Sequence, residues 1–300
     1  MRTPLLELTL ALLLAAPLPG LAGAARWHEF DYYKGNVLGS VHGEGEERLA
    51  LLLRASVNGT SCWLQLDTGA PAAVHWHTLR PDGTAPAPVT VTVRIGDVEK
   101  TLAADAANLA PLRQPSCGVI GTAGNAFFEH GTLALDFRDG RLAFAPGSAL
   151  RDVAAAQPML YLRSGGPGGH PLLPATLPDG RSGHLLFDTG AARFGLAAID
   201  AQGWRQLAGD RPLLRTFGAG NVTDRSPLAC RDAAYPESIV VGAYTIAPGM
   251  VSFCEGRPFQ LAQPLLGILG VKSVGARQVT LDYVAQRWLL GEPGRSLDTR

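Results

Sequence analysis

Apolar residues along the chain fall in short, strand-length runs cut by Gly, Asn and Asp at turn positions, and helical spacing is confined to brief segments such as Leu196 to Leu207. This pattern predicts a mainly β protein with few short helices. Two hairpins can be placed directly. Asn58-Gly59 and Asp179-Gly180 are dipeptides that accept positive φ in a tight turn, and each is followed by an apolar stretch suited to a buried strand.

The chain also repeats itself. Ala55 to Ala70 lines up with Ala175 to Ala191, and in both copies the turn glycine stands eight residues before an aspartate: Gly59 before Asp67, Gly180 before Asp188. A second pair recurs further on. Gly118-Val119-Ile120-Gly121 precedes Leu135-Asp136, Gly267-Ile268-Leu269-Gly270 precedes Leu281-Asp282, and an Arg follows each of these Asp residues by five (Arg141, Arg287). Repetition of this kind reports architecture before any motif is interpreted, and it predicts two similar units covering 25–150 and 151–300. The unit boundary is expected between Pro146 and Gln157, with the Gly-rich run Ser164 to Gly169 a loop inside the second unit. Trp27, Phe30, Tyr32 and Tyr33 would be costly to expose, so the segment from Ala25 to Val41 is expected to form an ordered strand.

Composition narrows the function classes. Lys plus Arg (26) equals Asp plus Glu (26) and no basic run occurs, so neither nucleic acid nor an anionic membrane is an expected partner. Met1-Arg2, the apolar stretch Leu8 to Leu21 and Ala22-Gly23-Ala24 read as a signal peptide over residues 1–24, which predicts an exported, periplasmic or secreted protein with no membrane anchor after cleavage. In an oxidising compartment Cys62, Cys117, Cys230 and Cys254 are expected as disulfides. Pairing within halves, Cys62 with Cys117 and Cys230 with Cys254, is one of three connectivities the sequence allows. His75 and His77 could share a strand face, but no third ligand accompanies them, and no metal or cofactor is expected. Asn58 and Asn221 begin glycosylation sequons, the first better explained as turn chemistry.

The two aspartates carry the chemistry. Carboxylates held within hydrogen-bonding reach cannot both ionise, so they share a proton, one serving as base and the other as acid. A lone Asp-Thr-Gly is weak, with roughly 0.1 chance matches expected in a chain of this size. Two copies with matched hairpins and matched Gly segments are far more specific. Two Asp-Thr-Gly segments on apolar strands, each followed by a hydrophobic-hydrophobic-Gly segment, resemble the pepsin and retropepsin families of aspartic proteases, and the resemblance spans about Arg54 to Leu290.

The resemblance implies a two-lobed acid-protease fold, each lobe a retropepsin-like β-barrel, with Asp67 and Asp188 holding the attacking water. It implies a peptide or protein substrate and, since both Asp lie in one chain, a monomer. Gly69 and Gly190 would let backbone N–H groups approach the carboxylates, Thr68 and Thr189 would hydrogen-bond across the pseudo-twofold, and Val119-Ile120-Gly121 and Ile268-Leu269-Gly270 would support the loops from below. The main alternative is a weak or inactive peptide-binding protein on the same fold.

Two departures from the families matter. Both loops end in Ala (Ala70, Ala191), where pepsin-like enzymes more often carry a hydroxyl, so one hydrogen bond to the carboxylates is missing and the working pH is expected to be mildly acidic to neutral. Asp67 to Gly121 is 54 residues and Asp188 to Gly270 is 82, and no Tyr occurs between Asp67 and Asp136 to mark a first-lobe flap. The covering flap is therefore expected from the second lobe, at Phe217, Gly218, Ala219, Gly220 and Asn221.

Overall fold

A computed structural model of the chain describes residues 25–35, 47–77, 87–114, 117–150, 154–163, 165–220, 227–256, 261 and 263–292. The expected signal segment 1–24, residues 36–41 of the expected first strand, Asn221 and residues 151–153 of the expected unit boundary lie outside these residues. Among the described residues are 22 strands, three short α-helices and one 3-10 helix, arranged in a twelve-stranded and a ten-stranded sheet. The protein is mainly β.

Turn chemistry fixes the first hairpin. Asn58 (φ 47°) and Gly59 (φ 85°) both take positive φ, closing Glu47–Val57 onto Thr60–Leu66 with Val57 opposite Thr60. The Asn58 side chain also accepts from the Thr92 N–H at 2.9 Å, so this sequon asparagine works as a turn residue. The matching hairpin, His170–Thr176 with Ser182–Asp188, departs from expectation: its connection is five residues long, and only Gly180 (φ 85°) has positive φ. Pro178 has no N–H to pair with Arg181 across a two-residue Asp179-Gly180 turn, so Leu177 donates to the Arg181 carbonyl instead, at 2.9 Å.

The recurring Leu-Asp segments meet in space. Gly131–Asp136 pairs antiparallel with Gln278–Asp282, placing Asp136 opposite Gln278 and Asp282 opposite Thr132, and both strands are buried throughout. Leu133, Leu135 and Leu281 face the main core, while Ala134, Ala143 and Leu289 pack in a smaller cluster on the other side. The two buried aspartates cap the turns that follow them. Asp136 accepts from the Arg138 and Asp139 N–H groups (both 3.1 Å), and Asp282 from Ala285 (2.8 Å) and Leu150 (2.9 Å). The larger sheet thus draws Gln157–Pro158, Gln278–Asp282 and Arg287–Gly291 from the second half of the sequence.

No barrel closes among the described residues, which corrects the expectation of one in each unit. The larger sheet ends at Gln157–Pro158 and Val74–Trp76, the smaller at Leu213–Gly220 and Tyr244–Ile246. Gly131–Asp136 pairs with a strand of the other half instead of closing a sheet of its own, so the sheet stays open. Trp27–Gly35 is an ordered strand, as its aromatic content predicted, held between Glu47–Val57 and Arg141–Pro146.

Both disulfides pair within halves. Cys62–Cys117 ties the first hairpin to the chain entering Val119–Ala123, and Cys230–Cys254 links directly opposed residues of Pro227–Tyr235 and Gly249–Glu255. These disulfides are compatible with an exported protein. No helix of the described residues is long and apolar enough to cross a membrane.

The halves differ by an insertion. Ala55 pairs with Ile95 and Ala175 with Val241, and the glycines that follow, Gly96 and Gly242, take φ 57° and 58°. Before these equivalent strands the first half has only residues 77–87 between Trp76 and Pro88. The second half has 198–238, which holds the helix Ala201–Ala208 and the antiparallel hairpin Leu213–Gly220 with Pro227–Tyr235.

Candidate active site

Each aspartate sits where an apolar strand ends beside a parallel neighbour. Thr60–Leu66 runs parallel to Val119–Ala123 with Leu66 level with Ala123, and Ser182–Asp188 runs parallel to Gly267–Gly270 with Asp188 level with Gly270. The register corrects the assignment of the supporting glycine. One residue beyond the Leu66–Ala123 pair, Asp67 is level with Gly124, so the counterpart of Gly270 is Gly124 and not Gly121. A Cβ on Gly124 would strike the Ala70 carbonyl, and one on Gly270 the Ala191 and Phe194 carbonyls, so each glycine lets its loop lie directly on the backbone. Spacing carries the same signal, since Gly124 to Asp136 and Gly270 to Asp282 are both 12 residues.

The threonines lock the two loops together. The Thr68 N–H donates to Thr189 Oγ1 at 3.0 Å, and the Thr189 N–H donates to Thr68 Oγ1 at 3.0 Å. Each hydroxyl then donates to a strand-end carbonyl of the opposite half, Thr68 to Phe187 (2.8 Å) and Thr189 to Leu66 (3.1 Å). Both threonines are buried, so four bonds between the halves are shielded from water.

This lock brings the carboxyl groups of Asp67 and Asp188 face to face, where they hydrogen-bond each other. A Cβ on Gly69 would stand 2.7 Å from Asp188 Cγ, and one on Gly190 2.6 Å from Asp67 Cγ. Each carboxyl therefore packs against the other loop's glycine. The Gly69 N–H donates to Asp67 Oδ1 at 2.8 Å, and the Gly190 and Ala191 N–H groups donate to Asp188 Oδ1 at 2.7 and 3.3 Å. Both aspartates remain partly exposed, within reach of a substrate.

Burial raises both carboxyl groups above the usual Asp range. Asp188 is raised well above it, because the negative charge of Asp67 adds to desolvation. On Asp67, the bonds from Asp188, Gly69 and Ala70 and the charge of nearby His75 partly oppose the rise. The pair thus holds one proton across a range where isolated aspartates have lost theirs.

No protein-family model matches this chain, and no curated protein matches it. The functional reading rests on the site's own geometry.

The remaining candidates divide. His75 is exposed and close to the dyad, whereas His77 is buried with its carbonyl accepting from Asn108 Nδ2 at 2.7 Å. The two do not share a face, and no group of three or more potential metal ligands occurs among the described residues. Phe217, Gly218, Ala219 and Gly220 lie on the strand Leu213–Gly220, where they pair with Cys230, Ala229, Leu228 and Pro227. Phe217 is buried with the Arg193 guanidinium 3.8 Å from its ring centroid and that of Arg215 at 5.2 Å; Arg215 also pairs with buried Asp232 at 2.6 Å. Arg193 follows the second active loop, so this stack joins the loop to the base of the hairpin.

Two residues escaped the sequence reading. His170 is buried, which lowers its pKa, and it bonds the Gly69 carbonyl, which opposes that fall. Asn125, fully buried, donates from Nδ2 to the carbonyls of Thr68 (2.6 Å), Gly169 (2.8 Å) and Ala70 (3.2 Å). Both lie in apolar surroundings that resemble core, and only the packing marks them out.

Proposed function

We propose that this protein is an aspartic endopeptidase of the pepsin and retropepsin type, built as two lobes that each contribute one carboxylate. The observation that carries the reading is the pair of Asp-Thr-Gly loops locked by reciprocal Thr68–Thr189 bonds with their carboxyl groups in contact. A turn that merely caps itself has no need of a buried cross-half lock, and two aspartates forced together at a destabilising distance call for a purpose.

In this reading a water sits between the carboxyl groups. The ionised member takes its proton as the oxygen attacks the scissile carbonyl, and the protonated member donates to the developing oxyanion. No covalent intermediate forms. An extended peptide lies across the dyad as a strand, covered by the hairpin Leu213–Gly220/Pro227–Tyr235, which has no counterpart among the described residues of the first half. The raised carboxyl groups and the missing loop hydroxyls both favour activity in mildly acidic to neutral solution.

The test is cleavage of a quenched peptide library across pH, with and without a statine-type transition-state mimic. Cleavage blocked by the mimic supports the reading. Binding of peptides without cleavage at any pH would instead assign the chain to the peptide-binding alternative.

The hairpin makes a separate prediction. Trimming Gly218 to Asn221 leaves the disulfide at the hairpin base and the Phe217 stack intact, so the melting temperature should hold while kcat/KM falls about a hundredfold through loss of substrate positioning. Unchanged turnover would show that the hairpin does not cover the substrate.

A further inference from the structure

The two active loops are alike in front of the carboxylates but differ behind them. Behind Asp67 stands Asn125, the residue after Gly124; in the equivalent place behind Asp188, after Gly270, stands Val271, which has no hydrogen-bonding side chain. Asn125 receives as well as gives, since the buried Tyr283 hydroxyl donates to its Oδ1 at 2.8 Å.

These bonds run in one direction. Tyr283 donates to Asn125 Oδ1, Asn125 Nδ2 donates to the Thr68 carbonyl, and the N–H of that same peptide unit, on Gly69, donates to Asp67 Oδ1 at 2.8 Å. In a trans peptide the C=O and the following N–H point oppositely, so drawing the Thr68 carbonyl towards Asn125 turns the Gly69 N–H onto the carboxylate. An amide that accepts at oxygen and donates at nitrogen is polarised at both ends, so aligned links strengthen one another. Every donor in this chain points towards Asp67. His170 takes the carbonyl of the next peptide, that of Gly69, whose Ala70 N–H donates to the Asp67 backbone carbonyl at 3.2 Å.

We propose that Asn125, backed by Tyr283, is a positioning residue that makes Asp67 the ionised member of the dyad and leaves the proton on Asp188. Asp67 is then the base that deprotonates the water, and Asp188 the acid that serves the carbonyl oxygen. The titratable groups facing Asp67 are Asp188 across the loops, His75 from Val74–Trp76, His170 on the Gly69 carbonyl and, through Asn125, Tyr283, behind which lie Tyr161 and Glu129.

The assignment of roles rests on the peptidase reading, whereas the hydrogen-bond chain does not, and the experiment separates them. Asn125→Leu removes two links and Tyr283→Phe removes only the outermost hydroxyl, which keeps the idea testable if the first variant folds poorly. The acid limb of kcat/KM reports protonation of the ionised carboxylate, so weakening the chain moves it to higher pH, by roughly one unit for Asn125→Leu and about half of that for Tyr283→Phe. The carboxyl ¹³C titration of Asp-labelled protein should show the lower dyad step rising in the same order without any substrate. A purely structural role would lower the melting temperature and leave both limb and step in place, and that result overturns the proposal. If the wild-type protein cleaves nothing, the peptidase reading fails, while the ¹³C titration still supports or refutes the chain.

Discussion

Asp67→Asn and Asp188→Asn should each lower peptide cleavage by at least about a thousandfold, because in the proposed mechanism each removes one of the two groups that move protons. The effect on stability should have the opposite sign. Asp188 is raised well above the ordinary Asp range in the folded chain, so the native state holds its proton more tightly than the unfolded state does. Stability associated with this group is full below the unfolded value near 3.8, declines as pH rises towards the raised native value, and stays reduced above it. Asparagine carries no charge to desolvate. Asp188→Asn should therefore melt higher than wild type at pH 7 and show little difference at about pH 3, where both carboxyl groups are protonated in either state. Differential scanning calorimetry at the two pH values checks this. A variant less stable than wild type at pH 7 would mean that the contact between the carboxyl groups stabilises the fold, contrary to the electrostatic account.

The two small glycine substitutions should be almost as damaging to activity. Gly69 and Gly190 do not have positive φ, so alanine is compatible with their backbone. What it meets is the opposing carboxyl group, at 2.7 Å for Gly69→Ala and 2.6 Å for Gly190→Ala, distances at which something must move. The movable element is the aspartate of the other loop, because the buried threonine lock holds both backbones. Displacing a reacting group by about 1 Å costs roughly a hundredfold, and kcat/KM should fall by at least that factor. Thermal stability should change far less than activity. Near-wild-type turnover in both variants would show that the carboxyl groups do not function in the facing arrangement.

Much of this site could be read from the sequence, because its decisive features are local. Asn58-Gly59 dictates its own turn, apolar strands end at Asp67 and Asp188, and the matched eight-residue spacing ties the two together. Export together with two cysteines in each half pointed to disulfides but left three pairings open, which only the strand register resolves, with Cys230 opposite Cys254.

The misreadings share a cause in long-range geometry. Val119-Ile120-Gly121 matches Ile268-Leu269-Gly270 in type, two aliphatic residues and a glycine, yet the parallel register places Gly124 beside Asp67, and the spacing to Asp136 is the better signal. The resemblance implies a barrel in each half, whereas Asp136 of Gly131–Asp136 finds its partner 142 residues later at Gln278. Phe217, expected in the flap from its place before the Gly-rich stretch, lies on a strand of the hairpin proposed to cover the substrate. It is buried under Arg193, a cation–π contact that no spacing rule brings forward. Asn125 sits in a run of small and aromatic residues that resembles core, and its role emerges only when Thr68, Ala70, Gly169 and Tyr283 converge on it.

The central claim, that one chain assembles one complete dyad, is tested most directly by isothermal calorimetry with a statine-type mimic, whose hydroxyl takes the place of the attacking water. The account predicts saturable binding of one mimic per chain at mildly acidic pH, lost in both Asp67→Asn and Asp188→Asn while each variant stays folded. Absence of binding to the folded wild-type protein, or binding that survives in either variant, would contradict it.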